Sequence, residues 1–283
     1  MRRLLREGRN RLLRSAAALP VLAVGPALGA DLPVKAPPMP AVAATPYNWT
    51  GFYGGVNAGG YWAYSGDPTT TASCTPIPGF TSYFECPAGA AAVSAAGTGS
   101  LSGGGFLGGG QIGANWQTGA VVLGVETDFD YLNLKASRQA GGIVSTFFGS
   151  GPFTISNSVS ANGLYTLRGR VGWAFNNLLP YVTGGWALTS LSASNSYSDT
   201  IGPVTASWNT PNTLKGGWVV GGGLEWAFSH NWTAKVEYLY VNFGPVYAQG
   251  VISLSGGGGY ANAISTSTDL TLQIVRAGVN YKF

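Results

Sequence analysis

The residues of this chain that could do chemistry are its few charges, and they are spaced in twos. Glu126, Asp128 and Asp130 alternate with Val125, Thr127 and Phe129. Arg168 and Arg170 lie between Leu167, Val171 and Trp173, and Lys235 and Glu237 beside Val236 and Tyr238. Glu225 is flanked by Leu224 and Trp226, and Arg276 by Val275 and Ala277. A period of two puts every second side chain on one face of a strand. Acids and bases gathered on one face can pair with each other or line an ion path. His230, the one histidine, stands in the short stretch SHN beside Ser229 and reads as a solvated turn residue. Gly108, Gly110 and Gly113 make a G-x-G-x-x-G match. It lies in a glycine-rich run with no strand–turn–helix context, so it reads as small residues in a curved strand rather than as a nucleotide loop. Cys74 and Cys86 are either a disulfide or two thiols, and no histidine or third cysteine lies close enough to complete a zinc site. No catalytic constellation, metal site or cofactor site is expected, and the chain is not expected to be an enzyme.

The elements that must carry these charges follow from composition. The chain has 283 residues, 45% hydrophobic and only 9% charged, against about 25% charged in an ordinary soluble domain. Past residue 30 there is no run of roughly 18 apolar residues that could form a spanning helix. Low charge without such a helix leaves the closed β-barrel as the structure that satisfies its backbone inside lipid. Residues 1–30 are expected to be a cleaved export signal. Six arginines lie within residues 1–14, an apolar run covers 16–28, and Gly29 and Ala30 follow. Beyond residue 30 stand nine of the fifteen Lys/Arg and ten of the eleven Asp/Glu, so the basic balance belongs to the leader and a nucleic-acid partner is not expected. An exported chain meets an oxidising compartment, which favours the disulfide. Residues 31–48, with five prolines, read as a periplasmic linker, and 49–283 as the barrel domain.

Eight segments of apolar/polar alternation follow, at 51–63, 104–116, 120–131, 163–175, 180–190, 215–228, 232–243 and 269–283. Their connections alternate in length. QTG, NNLL and SHN are short, whereas 64–103, 132–162, 191–214 and 244–268 are long and rich in Ser, Thr, Gly and Asn. Short periplasmic turns and long extracellular loops mark an up-and-down, antiparallel, eight-stranded transmembrane β-barrel. Aromatics at both ends of the segments are expected to form two interfacial girdles. Trp49, Phe52, Trp116, Tyr181 and Trp232 fall on the inner side, and Trp62, Phe106, Phe129 and Trp218 on the outer. Counting from the turns places Glu126, Arg168, Arg170, Glu237 and Arg276 at similar depth. With Asp128, Glu225 and Lys235 they are expected to form a charge-paired network in the lumen. Segments seven and eight carry Leu239, Val241, Leu270, Leu272 and Ile274 on the inward side, which reads as a bulge or as emergence from the bilayer.

The opening ADLPVKAPP, the block YNWTGFYGGVNAGGYW, the strands LRGRVGWAF and KVEYLYV and the ending VRAGVNYKF resemble the RopB-type small outer-membrane proteins of α-proteobacteria. These belong to the OmpA/OmpX-like barrel group often labelled a porin family. The resemblance implies an eight-stranded barrel of the cell outer membrane, surface-exposed, with no assigned enzymatic activity. It also implies that Val279, Tyr281 and Phe283 form a C-terminal signal read by the barrel-assembly machinery.

A structural and surface role is therefore expected, with a small-solute diffusion channel as the alternative. The expected partners are outer-membrane lipids and lipopolysaccharide, with the assembly machinery and periplasmic chaperones during biogenesis. The chain is expected to be a monomer.

Overall fold

A computed structural model describes residues 46–283 apart from 67, 203 and 255–258. The leader over 1–30 and nearly all of the linker over 31–48 lie outside the described residues.

Nine strands and one helix follow in order: β1 (Gly51–Ser65), β2 (Thr69–Pro76), α1 (Ala88–Gly97), β3 (Leu101–Thr118), β4 (Val121–Thr146), β5 (Gly149–Trp173), β6 (Leu178–Asp199), β7 (Thr205–Ala227), β8 (Trp232–Ser253) and β9 (Ala261–Lys282). Each of β1 and β3 to β9 pairs antiparallel with its neighbour, and β1 also pairs with β9 from Tyr53↔Lys282 to Ser65↔Leu270. That last pairing closes a ring of eight. The ninth strand, β2, adds to the upper part of β9, from Thr69↔Ser267 to Pro76↔Asn262.

Alternation sorts the side chains of the ring. Phe52, Val56, Ile112, Val125, Leu167, Val182 and Val236 point outward and are exposed. Aromatics frame this apolar band on both sides: Trp116, Trp173, Trp226 and Phe283 at one end, and Trp62, Phe106, Tyr131 and Trp186 at the other. Two aromatics expected in the inner girdle point inward instead. Trp49 is 2% exposed and Tyr181 5%. Trp49 precedes β1 and is tucked beneath the ring, where its backbone N–H donates to Gln117 Oε1 at 2.8 Å.

The strands run well beyond the outer girdle. Residues 132–162, expected as a loop, are mostly the continuation of β4 and β5, which turn only at Phe147 and Phe148. These extensions form because their inward positions stay apolar: Leu132, Leu134, Ala136, Val159 and Ile155 are all buried. Register shifts fall at one level just above the girdle: between Tyr131 and Leu134, Ala161 and Leu164, Leu191 and Ala193, and Asn242 and Pro245. Above this level the ring divides. Pairing of β3 with β4 ends at Leu107↔Leu132 and that of β7 with β8 at Trp218↔Asn242. Higher up, Lys215 Nζ donates to the Pro245 carbonyl at 2.7 Å and Thr210 Oγ1 to that of Tyr247 at 3.1 Å, so side chains bridge β7 and β8.

The first long connection holds β2 and α1. The sequence AGAAAVSAAG is a strong helix former because alanine loses no side-chain entropy. Cys74 and Cys86 are joined as a disulfide with Cα atoms 5.7 Å apart. Ser94 Oγ accepts the Ala72 N–H at 2.9 Å, which ties α1 to β2.

Val236 lies midway between Trp232 and Tyr240 on the outward face of β8. The variant Val236→Arg is expected to lose about 2–4 kcal/mol of stability in a bilayer, read by urea titration of the lipid-inserted protein.

Candidate functional site

The lumen is filled in layers, and each strand passes through them in the same order. β4 contributes Val122, then Glu126, Asp128 and Asp130, then Leu132 and Leu134, then Val144. β9 descends through the upper layers from Ile264 to Leu270, Leu272 and Ile274, and reaches the ionic layer at Arg276.

The lowest layer is a small apolar floor of Trp49, Val122, Leu179 and Ala227, with Tyr47 packed against it. The rings of Tyr47 and Trp49 meet edge to face at 4.8 Å. Burial, with the Glu225 carboxylate adding to it, pushes the Tyr47 hydroxyl up to about 12.

Above the floor lie nine charged side chains, each at most 3% exposed. Arg168 is the hub. It reaches Glu126 at 2.5 Å, Asp128 at 2.8 Å and Glu237 at 2.8 Å. Arg276 pairs with Asp128 at 3.0 Å, Asp130 at 2.6 Å and Glu237 at 2.7 Å. Arg170 holds Glu225 at 2.6 Å, and Lys235 holds Glu126 at 2.8 Å. Neutral donors complete the shell. The Tyr53 hydroxyl donates to Glu126 at 2.7 Å, that of Tyr181 to Glu237 at 3.0 Å, Thr166 to Asp128 at 2.7 Å and Thr233 to Glu225 at 2.6 Å. The Arg170 guanidinium lies 4.4 Å from the Tyr181 ring centroid. Five carboxylates face four cations, so the layer carries one formal negative charge when every group is ionised.

All eight residues singled out from the sequence thus meet in one layer: Glu126, Asp128, Arg168, Arg170, Glu225, Lys235, Glu237 and Arg276. Asp130 belongs to it too, and its place in the alternation with Glu126 and Asp128 was the signal for it. Tyr53 and Tyr181 were not anticipated. Their hydroxyls occupy space that a Cβ on Gly113 or Gly223 would enter, and those pairings across strands are invisible in a linear reading. Gly113 thus has a packing role, and Gly108 and Gly110 lie on the same strand, β3.

The third layer is apolar. Leu107, Leu132, Leu134, Leu164, Leu239, Val241, Leu272 and Ile274 are all buried. The inward leucines of segments seven and eight therefore do not reflect a bulge, and they stand level with the outer girdle residues Trp62 and Tyr240 and just above them. Lys235, Glu237, Leu239 and Val241 keep one phase along β8, and the register shift comes only after Asn242. What changes is the lining of the lumen.

The top layer packs Tyr83, Phe84, Ala90 and Val93 of the first connection against Phe153, Ile155, Tyr197, Trp208 and Ile252 of the strand extensions. Asp199 accepts hydroxyl protons from both Tyr83 at 2.7 Å and Tyr197 at 2.9 Å. Burial and that carboxylate together raise the Tyr83 hydroxyl well above its usual range. Asn262 Oδ1 accepts the Tyr83 N–H at 2.6 Å.

His230 lies in the exposed turn between β7 and β8, at the end opposite this cap. Val279, Tyr281 and Phe283 lie along the outward face of β9 and just past its end. Tyr281 meets Trp232 edge to face at 5.1 Å and Phe283 likewise at 5.3 Å. Among the described residues, no group of three or more His, Cys, Asp or Glu side chains is placed to hold a metal ion.

Truncating Arg168 leaves three buried carboxylates short of a cation. Breaking a buried pair this way costs roughly 3–5 kcal/mol, so Arg168→Met is expected to lower stability by at least that much in a urea titration. Arg168→Lys is expected to recover only part of it, since an ammonium is a point charge without the planar fork of donors.

Residues 36–283 match the family described as Outer membrane protein beta-barrel domain. The chain is 30% identical over 261 residues to the 31 kDa outer-membrane immunogenic protein of Brucella melitensis, covering 91% of this chain and 93% of that one. It is 27% identical over 271 residues to the 25 kDa outer-membrane immunogenic protein of Brucella abortus, covering 95% of each. It is also 31% identical over 131 residues to the 22 kDa outer membrane protein of Rhizobium leguminosarum, covering 46% of this chain and 49% of that one. Among solved structures, the outer membrane protein OprG of Pseudomonas aeruginosa aligns with a TM-score of 0.39 at 11% identity, over 84% of this chain and 99% of that one. A closed eight-strand ring with an apolar, girdled exterior and a family match across nearly all of the described chain lead to one conclusion: this protein belongs to the outer membrane β-barrel family and resides in the outer membrane.

Proposed function

We propose that this protein is a closed, structural barrel that anchors a surface-exposed β-extension in the outer membrane and does not pass solutes. The observation that carries this reading is the ionic layer, with all nine of its charged side chains paired and withdrawn from solvent. An eight-stranded barrel has an interior just wide enough for side chains. An ion crossing this layer would have to separate buried pairs that bridge β4, β5, β7, β8 and β9, and then enter an apolar layer where nothing replaces its hydration. The rival reading, a small-solute channel, needs a continuous polar path, and the leucine layer opposes it. A non-catalytic role goes with this reading. The relatives' names as immunogenic proteins support a face open to the exterior. An export leader over 1–30 and a linker over 31–48 suit delivery to this membrane. Val279, Tyr281 and Phe283, on the lipid side of the closing strand, suit a C-terminal assembly signal.

Planar-bilayer recording of the purified, refolded protein is expected to stay at baseline. Steady openings would overturn the closed-barrel reading. Deleting 69–100, so that 66–68 joins Ser65 to Leu101 where they already pair, removes α1 and the top of the plug. Conductance is expected to remain at baseline, because the leucine and ionic layers lie below.

A further inference from the structure

Below the register shifts, the outward faces of β5 and β6 are those of a lipid-contacting wall: Leu167, Val171 and Trp173 on one strand, Val182, Trp186 and Leu188 on the other, all exposed. Above the shifts the outward side chains change class. Ser156 stands opposite Ser196, Ser158 opposite Ser194 and Ser160 opposite Ser192. The rows continue across both neighbouring strands. Gln139 and Ser137 of β4 face Ser156 and Ser158, while Ser207 and Asn209 of β7 face Ser196 and Ser194. Two unbroken polar rows therefore cross four strands. Lys135, opposite Ser160, begins the third row and is the one charge in the three.

Two physical features set this face apart from ordinary solvated sheet. The first is its lack of charge, where a protein surface in water normally mixes Lys, Arg, Asp and Glu. The second is its residue type. Serine is a poor strand former beside threonine or valine, so four on alternate outward positions of β6 (Ser192 to Ser198) are not there for the strand's sake. The face is also rigid: neighbouring strands sit about 4.8 Å apart, and short side chains on paired strands have little freedom left to lose on binding. It presents neutral hydroxyl and amide groups, each able to donate and accept. Such a surface matches the hydroxyls of sugars. Phosphate groups are held by arginine and lysine, which these rows all but lack.

The wall is continuous with the lipid-facing band below it and begins one step above the outer girdle. Beside it at that height lies the headgroup of the neighbouring outer-leaflet lipid. We infer that the outward face of β4 to β7 above the girdle docks the saccharide of adjacent lipopolysaccharide, recognised through neutral hydroxyls and amides rather than through its phosphates. This lateral contact is independent of whether the lumen conducts.

Full-length protein is refolded into bilayers containing either lipopolysaccharide with its complete core saccharide or lipid A alone, and amide hydrogen exchange is followed at 154–160 and 192–198. The complete core is expected to slow exchange in both segments roughly tenfold relative to lipid A. The fourfold variant Ser156→Ala, Ser158→Ala, Ser194→Ala, Ser196→Ala is expected to keep a heat-modifiable folded band and lose that difference, whereas Lys135→Ala keeps it. Equal exchange with lipid A and complete core in the wild-type protein would overturn the inference without recourse to any variant. So would protection lost in Lys135→Ala, which would mean phosphate recognition. The same protection from soluble core oligosaccharide over a phospholipid bilayer would mean a free glycan ligand, and would overturn it too.

Discussion

Inside hydrocarbon an unpaired backbone N–H or C=O has no water to turn to. The pairing of β1 with β9 answers that constraint here, and much of the structure follows from it. Closure at eight strands leaves a lumen only side chains can occupy. Alternation then sends every second residue into that narrow space. Whatever stands at those positions must fill it, and any charge there must find a partner within it.

The layers show two ways of filling the same cylinder. Between the girdles the space holds charge, and stability depends on matching. Arg168 and Arg276 each serve three carboxylates, and tyrosine and threonine hydroxyls take up remaining lone pairs. A buried network of this kind is weak evidence for stability by itself, since apolar packing of equal volume often does as well. The leucine layer directly above shows that this chain uses the apolar solution too. What the ionic layer adds is directional contact among strands distant in sequence. Arg276 on β9 touches carboxylates on β4 and β8, which defines which strands face each other across the lumen.

Much of this was legible in the residues. The alternation of Glu126, Asp128 and Asp130 shows their face, and counting from the turns shows their height, because a membrane fixes both ends of the scale. The ring's strand count could be read from the alternation of short and long connections. Three things were not legible. Trp49 and Tyr181 sit at girdle height, but composition does not tell which side of the wall an aromatic takes; that depends on pairings such as Tyr181↔Gly223. Leu239, Val241 and Leu272 looked like a break in phase because a polar lumen was assumed, whereas a narrow lumen accepts any side chain that fills it. β2 and α1 lay hidden in a connection about forty residues long. They owe their shape to contacts with Ile264, Phe153 and Val144, far away in sequence.

The register shifts at a single level give the protein a joint. Six strands of the ring, β4 to β9, run on past it; the leucine cluster straddles the joint, from Leu239 and Ile274 to Ala136, Val159 and Ala193, and the side chains nearer the tips pack in a separate cluster. Substitutions more than about 7–10 Å apart with no shared partner act independently. Changes in the cluster at the tips can therefore leave the volume and charge matched between the girdles undisturbed. A single polypeptide thus holds two packing units, divided by height rather than by a boundary along the chain.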